Sequence, residues 1–428
     1  MQALLSFEQA PPISAPLRYF LTAPLFAMLA GALLLYAGPE ILASRWTPAT
    51  LAFTHLITAG FMLQVMLGAL QQLLPVVVGA NLARPLQVAT LVHAAITPGV
   101  LFLAAAFLSY APPLFGAAGI FLGAGLVLFV WAAARALYGI GASNPTLLGL
   151  KAAILGLSGT LVSGLLLILA LGLSLNWPML QLTDLHLGWG FMAWSCIVLA
   201  AVAFVVVPMF QLTPEYPAWF GRNFVRVAFA CVLLWTCTEL AGWGHATALF
   251  GAATLACGAV FCGVTLNILR LSKRPKRDAS HHFWNAAMVS GLLACAVWLV
   301  AHLNAEVDAW QGWPLLFGVL LLFGGFASVV TGMLYKIVPF LVWLHLQNRG
   351  AGRVLAPNMK KVLPQKRIDR QLLSHLASCL LLLLAVFWPD WFSYPAGLGL
   401  IIANGWLLSN LLYATAIYRN HPVPAPLP

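Results

Sequence analysis

Residues 54–85 read THLITAGFMLQVMLGALQQLLPVVVGANLARP and contain no charged side chain before Arg84. About 20 apolar residues in a helix cross a hydrocarbon core of roughly 30 Å, so this stretch is long enough to span a membrane. Lipid offers the backbone no hydrogen bonds, and a spanning segment therefore has to be a helix or part of a closed barrel. The apolar residues run continuously and do not alternate with polar ones, which indicates a helix.

The rest of the chain has the same composition. Of its 428 residues, 62% are hydrophobic and 7% are charged, with a mean hydropathy of +0.94, whereas soluble domains carry about 25% charged residues. We predict an all-α polytopic membrane protein whose single transmembrane domain covers residues 1–428. The twelve predicted spans are 18–38, 50–78, 86–109, 113–139, 148–175, 182–209, 221–243, 247–271, 281–304, 312–344, 368–388 and 393–417.

The Lys and Arg residues indicate the orientation. With twelve spans, all but one of the 21 Lys and Arg residues fall on the side of the two termini, and only Arg45 falls on the other. Basic loops stay in the cytoplasm, so we predict cytoplasmic termini in a bacterial inner membrane. Topology thereby explains the net charge of +11. We expect lipid as the partner of the basic loops and no binding of nucleic acid.

A weak internal repeat divides the chain into three units of four helices. Its markers are Pro75, Pro208 and Pro339, which are separated by 133 and then 131 residues and each lie near the end of an unusually long span. The predicted units cover residues 18–139, 148–271 and 281–417. Internal symmetry of this kind is common in membrane folds.

Two histidines occupy corresponding places in the first two units. His55 lies 20 residues before Pro75, and His186 lies 22 residues before Pro208. At about 1.5 Å per residue, both are close to 30 Å from the marker proline and share one depth near the outer face. Two imidazoles at one level could hold a metal ion or a haem, or each could cap water or a carbonyl at the interface. At the corresponding place the third unit has Phe317–Val319 and no histidine.

Other polar residues are weaker candidates. His245 and His302 lie at the outer boundary and are possible additional ligands. Asp184 either orients an imidazole or caps the start of span 6, and capping is the simpler interpretation. Met62 and Met66 are a turn apart in span 2, where a copper role is conceivable but filling of the core is the commoner use of methionine.

The seven cysteines all fall inside apolar runs, and none forms a CxxC pair. We interpret them as buried reduced thiols and predict neither a zinc site nor a disulfide framework.

Span 2 resembles the second helix of the catalytic subunit of haem–copper oxidases, which begins with a haem-ligating histidine and ends in a proline-containing segment and a small-residue turn. The matching residues are His55, Gly68, Pro75, Gly79, Ala80 and Pro85. The resemblance implies twelve helices with both termini inside, three pseudo-symmetric four-helix units and metal sites in the outer half of the membrane. The first two spans also look like the NnrS group of haem- and copper-containing membrane proteins linked to nitric oxide stress.

The ligand set departs from that of an oxidase. The family has H-x-H in span 10, where this chain has Phe317 and Val319, and a histidine pair near the start of span 7, where it reads FGRNFVRVAF. His186 resembles the remaining copper ligand, without the Pro-Glu-Val-Tyr-like sequence that follows it in the family. The resemblance therefore implies haem, of b type, and/or copper at His55 and His186, without the complete centre for oxygen reduction.

Three functions remain open at this point. The first is a haem- or copper-binding protein of respiratory or nitric oxide metabolism. The second is a transporter or channel that kept the fold and lost the cofactors, which the missing span 10 ligands favour. The third is an assembly subunit that partners a respiratory-chain or other membrane protein. Whether the chain is an enzyme is left open by its sequence.

Overall fold

The computed structural model describes residues 9–141, 144–350 and 356–421, with the side chains of residues 349 and 350 excluded. Within these ranges it contains helices and no strand, and twelve helices are long and apolar enough to cross a membrane, which confirms the predicted fold class. The spans are Ser14–Leu42, Pro48–Val78, Pro85–Ser109, Pro112–Leu137, Pro145–Gly172, Met179–Gln211, Ala218–Leu240, Gly244–Arg270, Ala279–Leu303, Trp313–Asn348, Gln365–Phe387 and Pro389–Asn420.

Helix-start signals explain several of the bounds. Span 2 begins with Pro48 after Thr47, whose side chain accepts a hydrogen bond from the Thr50 amide, and span 5 begins with Pro145 after Asn144, which caps in the same way. Proline fits the first helical position because its missing N–H would have no partner there. Span 2 ends at Val78, and the residue that follows it, Gly79, has a φ of +68°, which glycine adopts without the steric cost of a Cβ.

Spans 2, 6 and 10 form the centre of the protein. In the most apolar window of each, 67% to 78% of the residues are buried, against 22% to 50% in the other nine spans. We call the face where span 1 begins the basic face and the face where span 2 begins the opposite face. The three central helices all run from the opposite face to the basic face, so their first halves lie together on the opposite side.

Each central span contains a π-helical segment in its first half. The segments are Leu56–Leu63, Trp189–Cys196 and Val319–Ala327. They recur with nearly the same separation as the marker prolines, and the residue pattern did not reveal this regularity of the backbone. A π-helical turn is rare, and it often marks a functional site because the extra residue changes the direction of the following side chains.

Every π-helical segment packs against the preceding span at a glycine. Gly60 meets the ring of Phe26 in span 1, and Gly324 meets Ser290 in span 9, so a Cβ at either position would collide with those side chains. In the second unit the glycine belongs to the preceding span and not to the π-helical segment. A Cβ on Gly156 of span 5 would collide with the backbone of Ala193 in span 6. Small residues that permit such close approach are typical of helix contacts in membranes.

We expect Gly156→Ala to destabilise the protein, because the added methyl has to displace rigid backbone of the π-helical segment in span 6. The expected loss is roughly 1–3 kcal/mol, as for other overpacked interiors. The thermal unfolding midpoint in lipid nanodiscs measures it. Gly116→Ala is the matched control, since a Cβ there meets nothing within 4 Å. Equal midpoints for the two variants would contradict the packing described here.

Candidate functional site: a histidine pair in a central cavity

A cavity of about 1070 Å³ opens between the first halves of the three central helices. Its wall extends from Trp46, Tyr110 and Trp313 near the opposite face to Met66 and Phe261 deeper in the protein. Most of the wall is apolar. Ligand pockets in proteins are commonly about 300–1,000 Å³, so this cavity is large enough to hold a cofactor.

The cavity brings together the two histidines that the sequence placed at one level. The ring centroids of His55 and His186 are 6.3 Å apart, and the ring planes are nearly parallel, at 19°. His55 is the last residue before the π-helical segment of span 2, and His186 lies three residues before that of span 6. The irregular helix therefore begins within one turn after each histidine.

His55 is held by its own helix and by span 3. Its Nδ1 atom lies 2.8 Å from the carbonyl oxygen of Leu51. A carbonyl oxygen can only accept, so Nδ1 carries the proton and Nε2 carries the lone pair. The ring of Phe107 packs beside the imidazole with a centroid distance of 5.2 Å and fixes it from the other side.

His186 is held by span 5 in the same protonation state. Its Nδ1 atom lies 3.1 Å from the carbonyl oxygen of Thr160 and 3.3 Å from the hydroxyl oxygen of Ser163. The Ser163 hydroxyl donates to the carbonyl of Gly159, which leaves its oxygen able to accept from the imidazole. Gly164 gives the ring its space, because a Cβ there would lie 3.0 Å from the Cε1 atom of His186.

Both Nε2 atoms are left without a hydrogen-bond partner in the described part of the chain. A neutral imidazole whose Nδ1–H is bound by a carbonyl, and whose Nε2 is free, is the usual form of a metal-ligating histidine. The hydroxyls of Thr58, Thr160 and Thr183 in the cavity wall all donate to carbonyls of their own helices. The two imidazoles are thus the groups in the interior of the cavity best suited to bind a metal.

The other predicted ligands are placed differently. His302 lies at the mouth of the cavity, exposed, with its ring stacked 3.8 Å from that of Trp298. His245 is exposed and does not line the cavity. Over the ranges that the structure describes, no group of three or more His, Cys, Asp or Glu side chains is arranged to hold a metal ion.

The prediction for Asp184 was wrong in both of its forms. Span 6 begins at Met179, with Pro178 at the capping position, so Asp184 lies inside the helix and does not cap it. The group that orients His186 is the Thr160 carbonyl of the neighbouring span, and no feature of the residue pattern pointed to it. Asp184 lines the outer part of the cavity together with Arg45 and Glu239, where these charges surround its mouth.

The third side of the cavity is apolar, as the residue pattern predicted. Phe317 and Val319 of span 10 line it at the place that corresponds to the histidines. Sulfur-containing side chains form a further part of the wall that the sequence did not bring together. They are Met62, Met66, Met179, Met192, Met288, Cys196, Cys262 and Cys295. Their positions in apolar runs gave no signal that they share one cavity.

Nitrogen NMR of histidine-labelled protein that contains neither haem nor copper tests the geometry of the pair. We expect His55 and His186 to be neutral, with a hydrogen on Nδ1 and none on Nε2, because both Nδ1 atoms face carbonyl oxygens. His55→Ala and His186→Ala assign the two signals. A hydrogen on Nε2 of either ring would contradict the arrangement.

Comparison with known proteins does not identify the chain. No protein-family model matches it, and no curated protein matches it.

Proposed function

We propose that this protein is a multi-pass membrane protein that binds haem iron and/or copper between His55 and His186. The observation that carries the proposal is the matched pair of imidazoles, each with Nδ1 bound to a carbonyl and Nε2 free, inside one apolar cavity. An unpaired polar group is costly at membrane depth and is a functional candidate by default. Two such groups that face one space are best explained by a ligand that bonds both.

The spacing of the rings fits one metal ion between them. Metal–imidazole bonds are about 2.0–2.1 Å long, so a single ion bonded to both Nε2 atoms holds the ring centroids about 6 Å apart. The 6.3 Å between His55 and His186 agrees with that separation. The two residues would hold a haem iron, or would supply two nitrogen ligands to a copper ion. Copper also favours the thioether and thiol groups that line the same cavity.

The residues of the chain restrict which type of haem the site could hold and which reactions it could support. No CxxC pair occurs in the chain, so a haem would be held as a b-type group without the usual covalent attachment. A bound haem or copper supplies one-electron chemistry and binds small gases. The apolar wall would keep water away from it, and Phe317 and Val319 leave no histidine on the third side. We therefore favour a role in respiratory or nitric oxide metabolism other than oxygen reduction by a complete haem–copper centre.

The distribution of charge supports an orientation for this proposal. Basic loops stay in the cytoplasm, and the termini share their side of the membrane with all Lys and Arg residues except Arg45. We propose that the basic face is cytoplasmic, in a bacterial inner membrane. The histidine pair and the mouth of its cavity then belong to the outer half of the membrane.

A second candidate is a carrier or channel for small apolar molecules. The size and apolar wall of the cavity favour it, since neither requires a metal. A carrier or channel function would not explain why the Nε2 atoms of His55 and His186 have no partner. It predicts stabilisation by an apolar ligand in protein that contains neither haem nor copper.

Absorption spectroscopy and metal analysis of protein purified from haem-replete, copper-supplied cells decide between the two. We expect a haem absorption band, stoichiometric copper, or both. His55→Ala and His186→Ala should each lower the metal content by about tenfold or more, since loss of a mere supporting partner already costs 10–100-fold. His245→Ala is the control and should keep the wild-type content, because this exposed ring does not line the cavity. Colourless, metal-free wild-type protein would refute the proposal.

A further inference from the structure

A sulfur-rich part of the cavity wall lies where spans 6, 8 and 9 meet. Cys196 belongs to span 6, Cys262 to span 8 and Met288 to span 9, and all three side chains line the cavity. Their exposed fractions are 7%, 9% and 3%, so the cavity is the main open space that these sulfurs can reach. We call these three residues the sulfur triad.

Close contacts hold Cys262 against span 9. Its Sγ atom lies 2.8 Å from the position that a Cβ on Gly291 would occupy, so the glycine leaves room for the sulfur. Spans 8 and 9 run antiparallel, and two turns nearer the opposite face the Sγ atom of Cys295 lies 3.7 Å from the Leu255 carbonyl oxygen. Met288 precedes Gly291 by three residues and therefore shares its face of span 9, beside Cys262.

Span 6 places Cys196 at the same level. The Cε atom of Met192 lies 3.5 Å from the position of a Cβ on Gly258 in span 8. Spans 6 and 8 both run from the opposite face to the basic face, and Cys196 and Cys262 each follow this contact by four residues, or about one turn. The two thiols are also close enough to interact electrostatically.

The thiols of the sulfur triad have no hydrogen-bond partner in the described part of the chain, whereas the Cys295 thiol donates to the Leu255 carbonyl. The thioether of Met288 has no hydrogen to donate and accepts only weakly. The lone pairs of three sulfurs on three different helices are therefore free to bind a ligand in the cavity.

The ligand that suits this set is a soft metal ion. Thiolate and thioether ligands select Cu(I), whereas magnesium and calcium ions require oxygen ligands. The described residues bring no three His, Cys, Asp or Glu side chains together as metal ligands, so the third ligand has to be a thioether. A Cu(I) ion with one deprotonated thiol is neutral as a pair, which avoids the cost of a net charge at membrane depth.

The sulfur triad is too far from the histidine pair to share one ion with it. Cys196 follows His186 in span 6 by ten residues, which is more than two helical turns and on the order of 15 Å. Metal bonds to imidazole and thiolate are only about 2.0–2.3 Å long. A metal ion at the triad therefore occupies a separate site, nearer the basic face.

We propose that Cys196, Cys262 and Met288 form a second metal site, which binds one Cu(I) ion deep in the cavity. One thiol loses its proton when the sulfur–copper bond forms, and the other thiol and the thioether complete the ligand set. The inference does not depend on whether the histidine pair binds a metal.

Protein that is purified with a Cu(I) chelator and then loaded anaerobically with Cu(I) tests this site separately from the metal that co-purifies. X-ray absorption at the copper edge should show sulfur scattering in the wild-type protein and in a variant that combines His55→Ala with His186→Ala. Adding Cys262→Ser to this variant should weaken Cu(I) binding, measured against a chelator, by about tenfold or more, because a hydroxyl is a poor ligand for Cu(I). Cys237→Ser is the matched control, since this exposed thiol does not line the cavity.

A loaded wild-type protein without sulfur scattering would overturn the proposal, and so would equal Cu(I) binding after Cys262→Ser and Cys237→Ser. The wild-type spectrum does not require any variant to fold. The same spectrum separates this site from the histidine pair. Imidazole scattering without sulfur removes only the triad, whereas sulfur scattering without imidazole supports the triad and speaks against copper at the histidines.

Discussion

A polar group in the hydrocarbon core has to find its hydrogen-bond partner within the protein or in a bound ligand, and this constraint connects the parts of the structure. It makes the spans helical, because only helices of this composition satisfy their own backbones. It directs the Nδ1 hydrogens of His55 and His186 to the carbonyls of Leu51 and Thr160. The constraint leaves the Nε2 atoms of these two histidines unpaired, and they indicate where a ligand belongs.

The π-helical segments relate the fold to the site. Residues of each segment line the cavity, and each segment lies in one of the three most buried helices. Glycines at the contacts with spans 1, 5 and 9 allow these irregular turns to pack closely. In the first two units a histidine precedes the irregular turn, whereas the third unit has Phe317 and Val319 there. The same backbone arrangement therefore places a histidine beside the cavity in the first two units and apolar side chains beside it in the third.

Much of the fold could be predicted from the sequence, because hydropathy and span length follow directly from bilayer thickness. The twelve spans were found, although span 12 begins at Pro389 and not at 393, and span 10 continues to Asn348 beyond the predicted 344. The shared depth of His55 and His186 was also predictable, since it follows from helical rise and two marker prolines. The helix termini were less predictable because capping residues override hydropathy there.

The site itself was only partly predictable, because its details depend on contacts between helices that are distant in sequence. Thr160 lies 26 residues from His186, and no local pattern points to its carbonyl as the partner of the imidazole. The wrong prediction for Asp184 came from giving weight to a neighbour in sequence. The π-helical turns have no clear residue signature, and the sulfur-containing side chains of the wall come from separate spans that meet only in the folded protein.

The central claim is that His55 and His186 bond one metal ion, and X-ray absorption spectroscopy at the edge of the metal that co-purifies tests it most directly. The account predicts scattering from two imidazole nitrogens at about 2.0 Å, with His55→Ala and His186→Ala each removing one imidazole from the spectrum of whatever metal remains. A wild-type spectrum without imidazole scattering, or one that neither substitution changes, would contradict it.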